Sequence, residues 1–198
     1  MRFLQTFFVV LMLCFCAGKQ AWASEPERKI DLQLMRGAEG TFASVALQFD
    51  LPEAMEDALH KGVALYFVEE ADIISERWYW RDKSVKKSAR YLRLSYQPLT
   101  RRWRLHVSTT PLTDTVMATS LAQNFDSLEE ALAVVKRVRY WKIAGPDDLS
   151  DSGDYLVKFN FRLDGSQLPR IFQFAPFGNS GLNLQIKGQL PLPEISAP

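Results

Sequence analysis

Alternating polar and apolar residues run through most of the chain and predict β-strands. From Tyr155 to Leu163, every second residue is apolar, and lysine, asparagine and arginine stand between the apolar positions. The segments Ile30 to Leu34 and Val45 to Phe49 show the same alternation. Each segment therefore has one face for a core and one for water, which is typical of antiparallel sheets.

One segment is apolar on both faces and predicts a central strand. It runs from Val63 to Val68 and is followed by Glu69, Glu70 and Asp72. Because apolar residues resume only after these acids, we expect a bend or a bulge where they lie.

A hairpin is predicted in the middle of the chain. The residues Pro98 to Arg101 favour a turn, since proline is preferred early in such turns. The return strand alternates between an apolar face, which begins at Trp103, and a face that carries Arg102, Arg104 and His106. We expect the second face to point outward.

Two segments have helical rather than alternating patterns. The first runs from Pro52 to Lys61, with the proline at its start and Gly62 as its stop signal. The second is predicted to begin at Asp126 as the cap, with Glu129 three residues later. It carries an apolar stripe at helical spacing from Leu128 to Val138.

These elements predict the fold class. About eight strands with two short helices favour a mainly β protein: a single antiparallel β-sandwich, immunoglobulin-like or similar, with a β-barrel as the alternative. We expect one β-rich domain over residues 24–190, followed by a flexible tail over 191–198. Thr109 to Asn124 and Gly145 to Asp154 are predicted to be loops.

The first residues predict a signal peptide. Arg2 gives a positive start, Phe3 to Ala17 lacks charge, and small residues stand at Ala21 and Ala23. This layout predicts residues 1–23 to be a secretory signal peptide that is cleaved near Ala23. The apolar stretch is shorter than the about 20 residues that a spanning helix needs, so we expect no stable membrane span after cleavage. The alternative is a membrane anchor formed by the uncleaved segment.

Composition limits the chemistry of the exported chain. Cleavage would remove Cys14 and Cys16, the only cysteines among the 198 residues, and with them any disulfide or thiol chemistry. The formal net charge of +1 does not indicate nucleic acid as a partner.

No catalytic or metal-binding pattern is recognisable. The two histidines, His60 and His106, lie at no metal-ligand spacing, and we expect both at the surface. We found no nucleophile, base and acid arrangement. The sequence therefore predicts a non-enzymatic protein without a cofactor or a bound metal.

One charged segment stands out. Between Arg77 and Arg104, ten basic residues accompany a single acid, Asp82, with tryptophans and tyrosines among them. This basic segment, taken as the candidate partner surface, comprises Arg77, Arg81, Lys83, Lys86, Lys87, Arg90, Arg93, Arg101, Arg102 and Arg104. A basic aromatic surface favours an anionic partner, although surface charge also serves solubility alone.

Two functions follow as hypotheses. The first is a non-enzymatic interaction module that binds an anionic or protein partner through this hairpin. The alternative is a carrier of lipids or small molecules with a ligand cavity between the sheets.

Several short motifs occur in order along the chain. They are Leu51-Pro52-Glu53-Ala54, Lys61-Gly62-Val63, Tyr66-Phe67-Val68, Arg77-Trp78-Tyr79-Trp80, Arg93-Leu94-Ser95-Tyr96, Leu99-Thr100-Arg101, Ser127 to Leu132, and Leu163-Asp164 with Ser166 to Pro169. Together they resemble an uncharacterised family of exported proteobacterial proteins, domain of unknown function 4390, over about Ile30 to Leu184.

The resemblance implies a location but no activity. It suggests a periplasmic protein of a Gram-negative envelope, whose partner is an envelope protein or an anionic envelope component. Relatives encoded beside a membrane sensor kinase imply a link to envelope signalling. The family supplies no catalytic residues and no cofactor.

Overall fold

A computed structural model describes residues 29–75, 83–119, 121–150, 153–168 and 184–194. The predicted signal peptide, Arg77, Arg81 and residues 195–198 lie outside the described residues.

The described residues form two antiparallel sheets. The strands are β1 (Lys29–Gly37), β2 (Gly40–Gln48), β3 (Leu65–Ser75), β4 (Lys83–Gln97), β5 (Arg102–Ser108), β6 (Ala122–Phe125), β7 (Arg137–Ala144), β8 (Tyr155–Leu163) and β9 (Gln185–Pro191). A small sheet has the order β1-β2-β7, and a large sheet has the order β6-β5-β4-β3-β8-β9. All neighbouring strands pair antiparallel.

This architecture confirms the mainly β sandwich. Among the described strands neither sheet closes on itself, so the alternative of a β-barrel is wrong. The core lies between the sheets and combines Val45 and Leu47 of the small sheet with apolar residues of the large one. Phe161 on β8 stacks on Phe67 of β3, with ring centroids 5.5 Å apart.

The alternation of β8 is the pattern that the sequence predicted best. Val157, Phe159, Phe161 and Leu163 are buried, whereas the residues between them are not. The predicted central strand is also confirmed, because β3 lies between β4 and β8. Phe67 and Val68 lie on opposite faces of β3 and are both buried, which agrees with its apolar residues on two faces.

The acids after Val68 do not end the strand. β3 continues from Leu65 to Ser75 through Glu69, Glu70 and Asp72. The irregularity lies later, between Ile73 and Ile74, opposite β4. The predicted bulge is therefore present but lies just after the acids rather than at them, because cationic partners on the neighbouring strands accommodate the acids within the regular part of the strand.

Three helices lie among the described residues: α1 (Glu53–His60), α2 (Asp114–Thr119) and α3 (Leu128–Val135). The helix predicted over Pro52 to Lys61 is confirmed as α1. The loop predicted over Thr109 to Asn124 is wrong, because it contains α2 and most of the short edge strand β6.

The second predicted helix is displaced at both ends. Ser127, not Asp126, caps α3, and its Oγ accepts a hydrogen bond from the Glu130 N–H at 3.2 Å. The helix ends at Val135, and Val138 instead pairs with Val45 in the small sheet. Apolar spacing at this boundary fits both a helix and a strand, so the sequence alone extended the helix too far.

The predicted hairpin is confirmed. β4 and β5 pair from Tyr91 to Gln97, and the turn lies between them. Trp103 faces the core and packs beside Tyr96, with ring centroids 4.8 Å apart. His60 at the end of α1 contacts both rings edge-on, which holds this helix against the hairpin.

The C-terminal strand reaches the predicted tail. β9 includes Pro191, and the Leu192 N–H donates to the Tyr155 carbonyl at 2.9 Å. Among the described helices, none has the length and hydrophobicity needed to cross a bilayer.

Removing a core ring should destabilise the sandwich. Phe159 is buried in the main apolar cluster, so we expect Phe159→Ala to lower the free energy of unfolding by about 3–5 kcal/mol. Urea unfolding measures this loss. Leu99→Ala, at a fully exposed turn position, serves as the control and should change stability little. Equal midpoints for Phe159→Ala and the parent protein would contradict the packing.

Candidate functional site

Strand alternation divides the basic segment between the two faces of the large sheet. Arg77 and Arg81 lie outside the described residues, Lys83 is exposed at the start of β4, and Arg101 lies in the turn. Of the remaining members, Lys86 and Arg90 face the small sheet, whereas Lys87, Arg93, Arg102 and Arg104 face outward. The segment is therefore not one surface.

The inward members have partners inside the protein. Lys86 Nζ lies 3.0 Å from Asp148 Oδ2. The Gly145 N–H donates to the same carboxylate at 2.7 Å, and this bond, followed by the Lys86 contact, lowers the pKa of Asp148. The Ser88 hydroxyl on the same face of β4 donates to the Ile143 carbonyl of β7 at 2.7 Å.

Glu69 is a fully buried acid in the middle of the central strand. Its neighbours across the sheet are Arg90 on β4 and Phe161 on β8. Arg90 Nη1 lies 3.1 Å from Glu69 Oε2, but neither carboxylate oxygen has a hydrogen-bond partner among the described residues. Burial raises the pKa of Glu69 to about 7, against the opposing effect of Arg90.

Arg90 connects this acid to the small sheet. Its guanidinium lies over the Trp141 ring of β7, 5.9 Å from the centroid. The Arg90 side chain is 17% exposed, so it reaches solvent while Glu69 does not. The pair thus forms a polar contact within the sandwich, next to the packed core.

On the outward face, two arginines are held in place. Arg93 Nε donates to the Tyr66 hydroxyl at 3.1 Å, and Arg93 Nη1 donates to Ser95 Oγ at 3.2 Å. Arg102 pairs with Asp126 at 3.0 Å, with both side chains more than half exposed. An ion pair this exposed contributes little to stability.

Arg104 and His106 lie beside Arg93 on the same outward face, so two arginine charges flank one imidazole. His106 lies directly opposite Arg93, and Arg104 lies opposite Ser95. Arg104 Nε is buried and has no hydrogen-bond partner in the part of the chain that the structure describes. We call Arg93, Arg104 and His106 the cationic cluster.

Desolvation by burial, and then the charges of the two arginines in this cluster, Arg93 and Arg104, lower the pKa of His106 below 6.5. His106 is 7% exposed, so the prediction of a surface histidine is wrong, although its outward direction is confirmed. His60 is exposed, as predicted.

A groove of about 780 Å³ continues along the same face. It is lined by side chains from four neighbouring strands, β4, β3, β8 and β9. Among them are Tyr91, Glu70, Asn160 and Lys187. Tyr91 precedes Arg93 by two residues on β4, so the groove and the cationic cluster adjoin.

Sequence reasoning did not predict the buried contact of Glu69 with Arg90, the packing of Arg90 on Trp141, or the groove. Glu69 was available as the only acid in an otherwise apolar stretch of inward positions on β3, and such an acid requires a partner. Within the described residues, no group of three or more histidine, cysteine, aspartate or glutamate side chains is placed to hold a metal ion.

The buried acid should make stability depend on pH. Its pKa is about 7 in the folded protein and has the ordinary value of 4.5 when unfolded, so folding favours the protonated form. The contribution of protonated Glu69 to the free energy of unfolding is fully present below pH 4.5. It is lost as the pH rises from 4.5 through 7, which lowers the free energy of unfolding by about 3 kcal/mol.

Urea unfolding from pH 4.5 to 8 tests this dependence. Glu69→Gln should remove the decline, whereas Glu39→Gln, an exposed control in the β1–β2 turn, should keep it. The same decline in Glu69→Gln would show that another group causes it.

The cationic cluster can be tested through His106. Because Arg104 lowers the pKa of this imidazole, Arg104→Gln should raise that pKa toward 6.5. NMR titration of the two histidines measures it, with His60 as an internal reference. Arg137→Gln, at an exposed position of the small sheet, should leave the His106 pKa unchanged. Equal effects of both variants would contradict the cluster.

Comparison with known proteins identifies the family but no activity. No curated protein and no solved structure was found to match the chain. One family model matches residues 28–189, and its description is a domain of unknown function. Since this match covers most of the sequence, the chain belongs to the family Domain of unknown function (DUF4390).

Proposed function

We propose that this protein is a non-enzymatic interaction module of the periplasm that binds a negatively charged envelope component through the outward face of the β4–β5 hairpin. The observation that carries the proposal is the cationic cluster. Its charges are close enough to lower the pKa of His106, and Arg104 Nε is buried without a hydrogen-bond partner in the described chain.

An unpaired buried donor favours an anionic ligand. Burying a polar group without a partner costs about 1–3 kcal/mol, and a charged group costs more. A carboxylate or phosphate at the half-buried Arg104 guanidinium would pair with its charge and reduce the repulsion between Arg93 and Arg104. The proposed binding therefore relieves a cost that the isolated fold carries.

Only some residues of the basic segment are suited to the proposed contact. Lys86 and Arg90 are inward and paired, and Lys87 and Arg102 have acidic partners at 3.5 Å and 3.0 Å. Arg101 is exposed in the turn that leads into β5, three residues before Arg104. The proposed contact thus uses Arg93, Arg101, Arg104 and His106 rather than the whole basic segment.

A lipid or small-molecule carrier stays the second candidate. The groove is the observation that favours it, because its volume of about 780 Å³ lies in the usual range for small-ligand sites. This groove, however, lies on the outward face of the large sheet rather than between the sheets.

Crosslinking in living cells, read by mass spectrometry, tests the interaction. The double variant Arg101→Gln/Arg104→Gln should lose crosslinks to the partner by about fivefold or more, because it removes two charges of the proposed contact. The matched control Arg137→Gln/Arg139→Gln removes two exposed charges from the small sheet and should keep those crosslinks.

The proposal fails if both double variants retain the same partners in equal amounts. A small molecule that copurifies with the protein, without any crosslinked macromolecule, would favour the carrier instead.

A further inference from the structure

The groove beside the cationic cluster has a lining that indicates the chemistry of its ligand. Its side chains come from four adjacent strands of one sheet, so their spacing is fixed by backbone pairing rather than by loops. Binding groups on paired strands are held more precisely than groups on loops.

A chain of hydrogen bonds orders the polar groups of the groove. Gln185 Nε2 donates to Asn160 Oδ1 at 2.8 Å, and Asn160 Nδ2 donates to Glu70 Oε2 at 3.2 Å. Arg162 Nη2 lies 3.4 Å from Glu70 Oε1 and closes the chain. Amides and carboxylates arranged in this way offer both donors and acceptors, which suits hydroxyl groups because each hydroxyl also does both.

Positive charge exceeds negative charge around the groove. Lys87, Lys158 and Lys187 line it together with Glu70 and Asp72. Asp72 is engaged by Lys87 at 3.5 Å, and Glu70 by Arg162. The excess of cations favours a ligand with a moderate number of negative groups.

Most of the lining surface is apolar. Ala89 and Tyr91, on the same face of β4 as Lys87, are among the lining residues. The ring of a sugar has a face of C–H groups that packs on such a surface, while its hydroxyls reach the amides. This mixture differs from the lining expected for a lipid chain, which needs few polar groups.

We propose that the groove binds an acidic saccharide, whose hydroxyls meet Asn160, Gln185 and Glu70 and whose carboxylate meets the exposed Lys187. The inference rests on the proposed function, because the groove and the cationic cluster share one face. Successive outward residues on β4 are about 7 Å apart, so a saccharide that passes Tyr91 would reach Arg93 with its next acidic group.

Calorimetric titration of the full chain with defined probes tests this inference. Hexagalacturonate should bind at least tenfold more tightly than hexaglutamate, which carries similar charge without sugar rings, and more tightly than neutral maltohexaose. Tighter binding of hexaglutamate would contradict the inference that the ligand is a saccharide, as would equal binding of the three probes.

Single variants locate the site. Lys187→Gln and Asn160→Ala should each weaken hexagalacturonate about fivefold or more. Lys142→Gln, an exposed lysine on the small sheet, is the matched control and should not change the affinity. Unchanged affinity in the exposed variant Lys187→Gln, which should fold normally, would place the saccharide elsewhere and overturn the inference.

The outcome is separable from that of the proposed function. If cellular crosslinks depend on Arg101 and Arg104 while hexagalacturonate binds no better than hexaglutamate, the interaction module stands and the saccharide is wrong. If neither the crosslinks nor any probe responds to its variants, both are wrong.

Discussion

The sandwich depends on how a carboxylate is accommodated at the centre of its largest sheet. Glu69 lies on the inward face of β3, where its neighbours on the same face, Phe67 and Ala71, are apolar and buried. An isolated buried charge is costly, so a cation must lie beside it or the acid must hold its proton. The register of β3 and β4 places Arg90 directly opposite, which meets the first condition in part.

The inward face of β4 accordingly has an apolar half and a polar half. Leu92 and Leu94 belong to the apolar core, whereas Lys86, Ser88 and Arg90 make polar contacts. These polar groups reach β7 and the turn at Asp148, so they connect the two sheets beside a second, smaller apolar cluster that includes Ile73, Ile143 and Val157. A buried pair of this kind is weak evidence for stability, and its clearer effect is to specify one arrangement of the two sheets.

Periodicity predicted the strands that have one buried face, because burial there imposes a strict alternation. β8 and the β4–β5 hairpin follow this rule, and both were predicted. β6 and β7 do not, since β6 has four residues and β7 is irregular at Tyr140, whose φ of 49° is left-handed. Short or irregular edge strands leave too few alternating positions to recognise.

The candidate site was less predictable than the fold, for a different reason. Ten basic residues in one segment suggested a single surface, but alternation sent Lys86 and Arg90 inward. Whether a given arginine is free depends on cross-strand register, and that register involves residues far apart in the chain. The sequence located the positive charge; only the pairing of β3, β4 and β5 decides which part of it faces a partner.

The outward face of the β4–β5 hairpin and the adjoining groove are already ordered. Tyr66 and Ser95 hold Arg93, and hydrogen bonds across β9, β8 and β3 hold the polar groups of the groove. Immobilising a long side chain on binding costs about 0.5–1.5 kcal/mol, and here the fold has largely met that cost beforehand. A rigid sheet face with unsatisfied positive charge therefore favours recognition of an anion over a purely solubilising role, for which neither order nor buried donors would be needed.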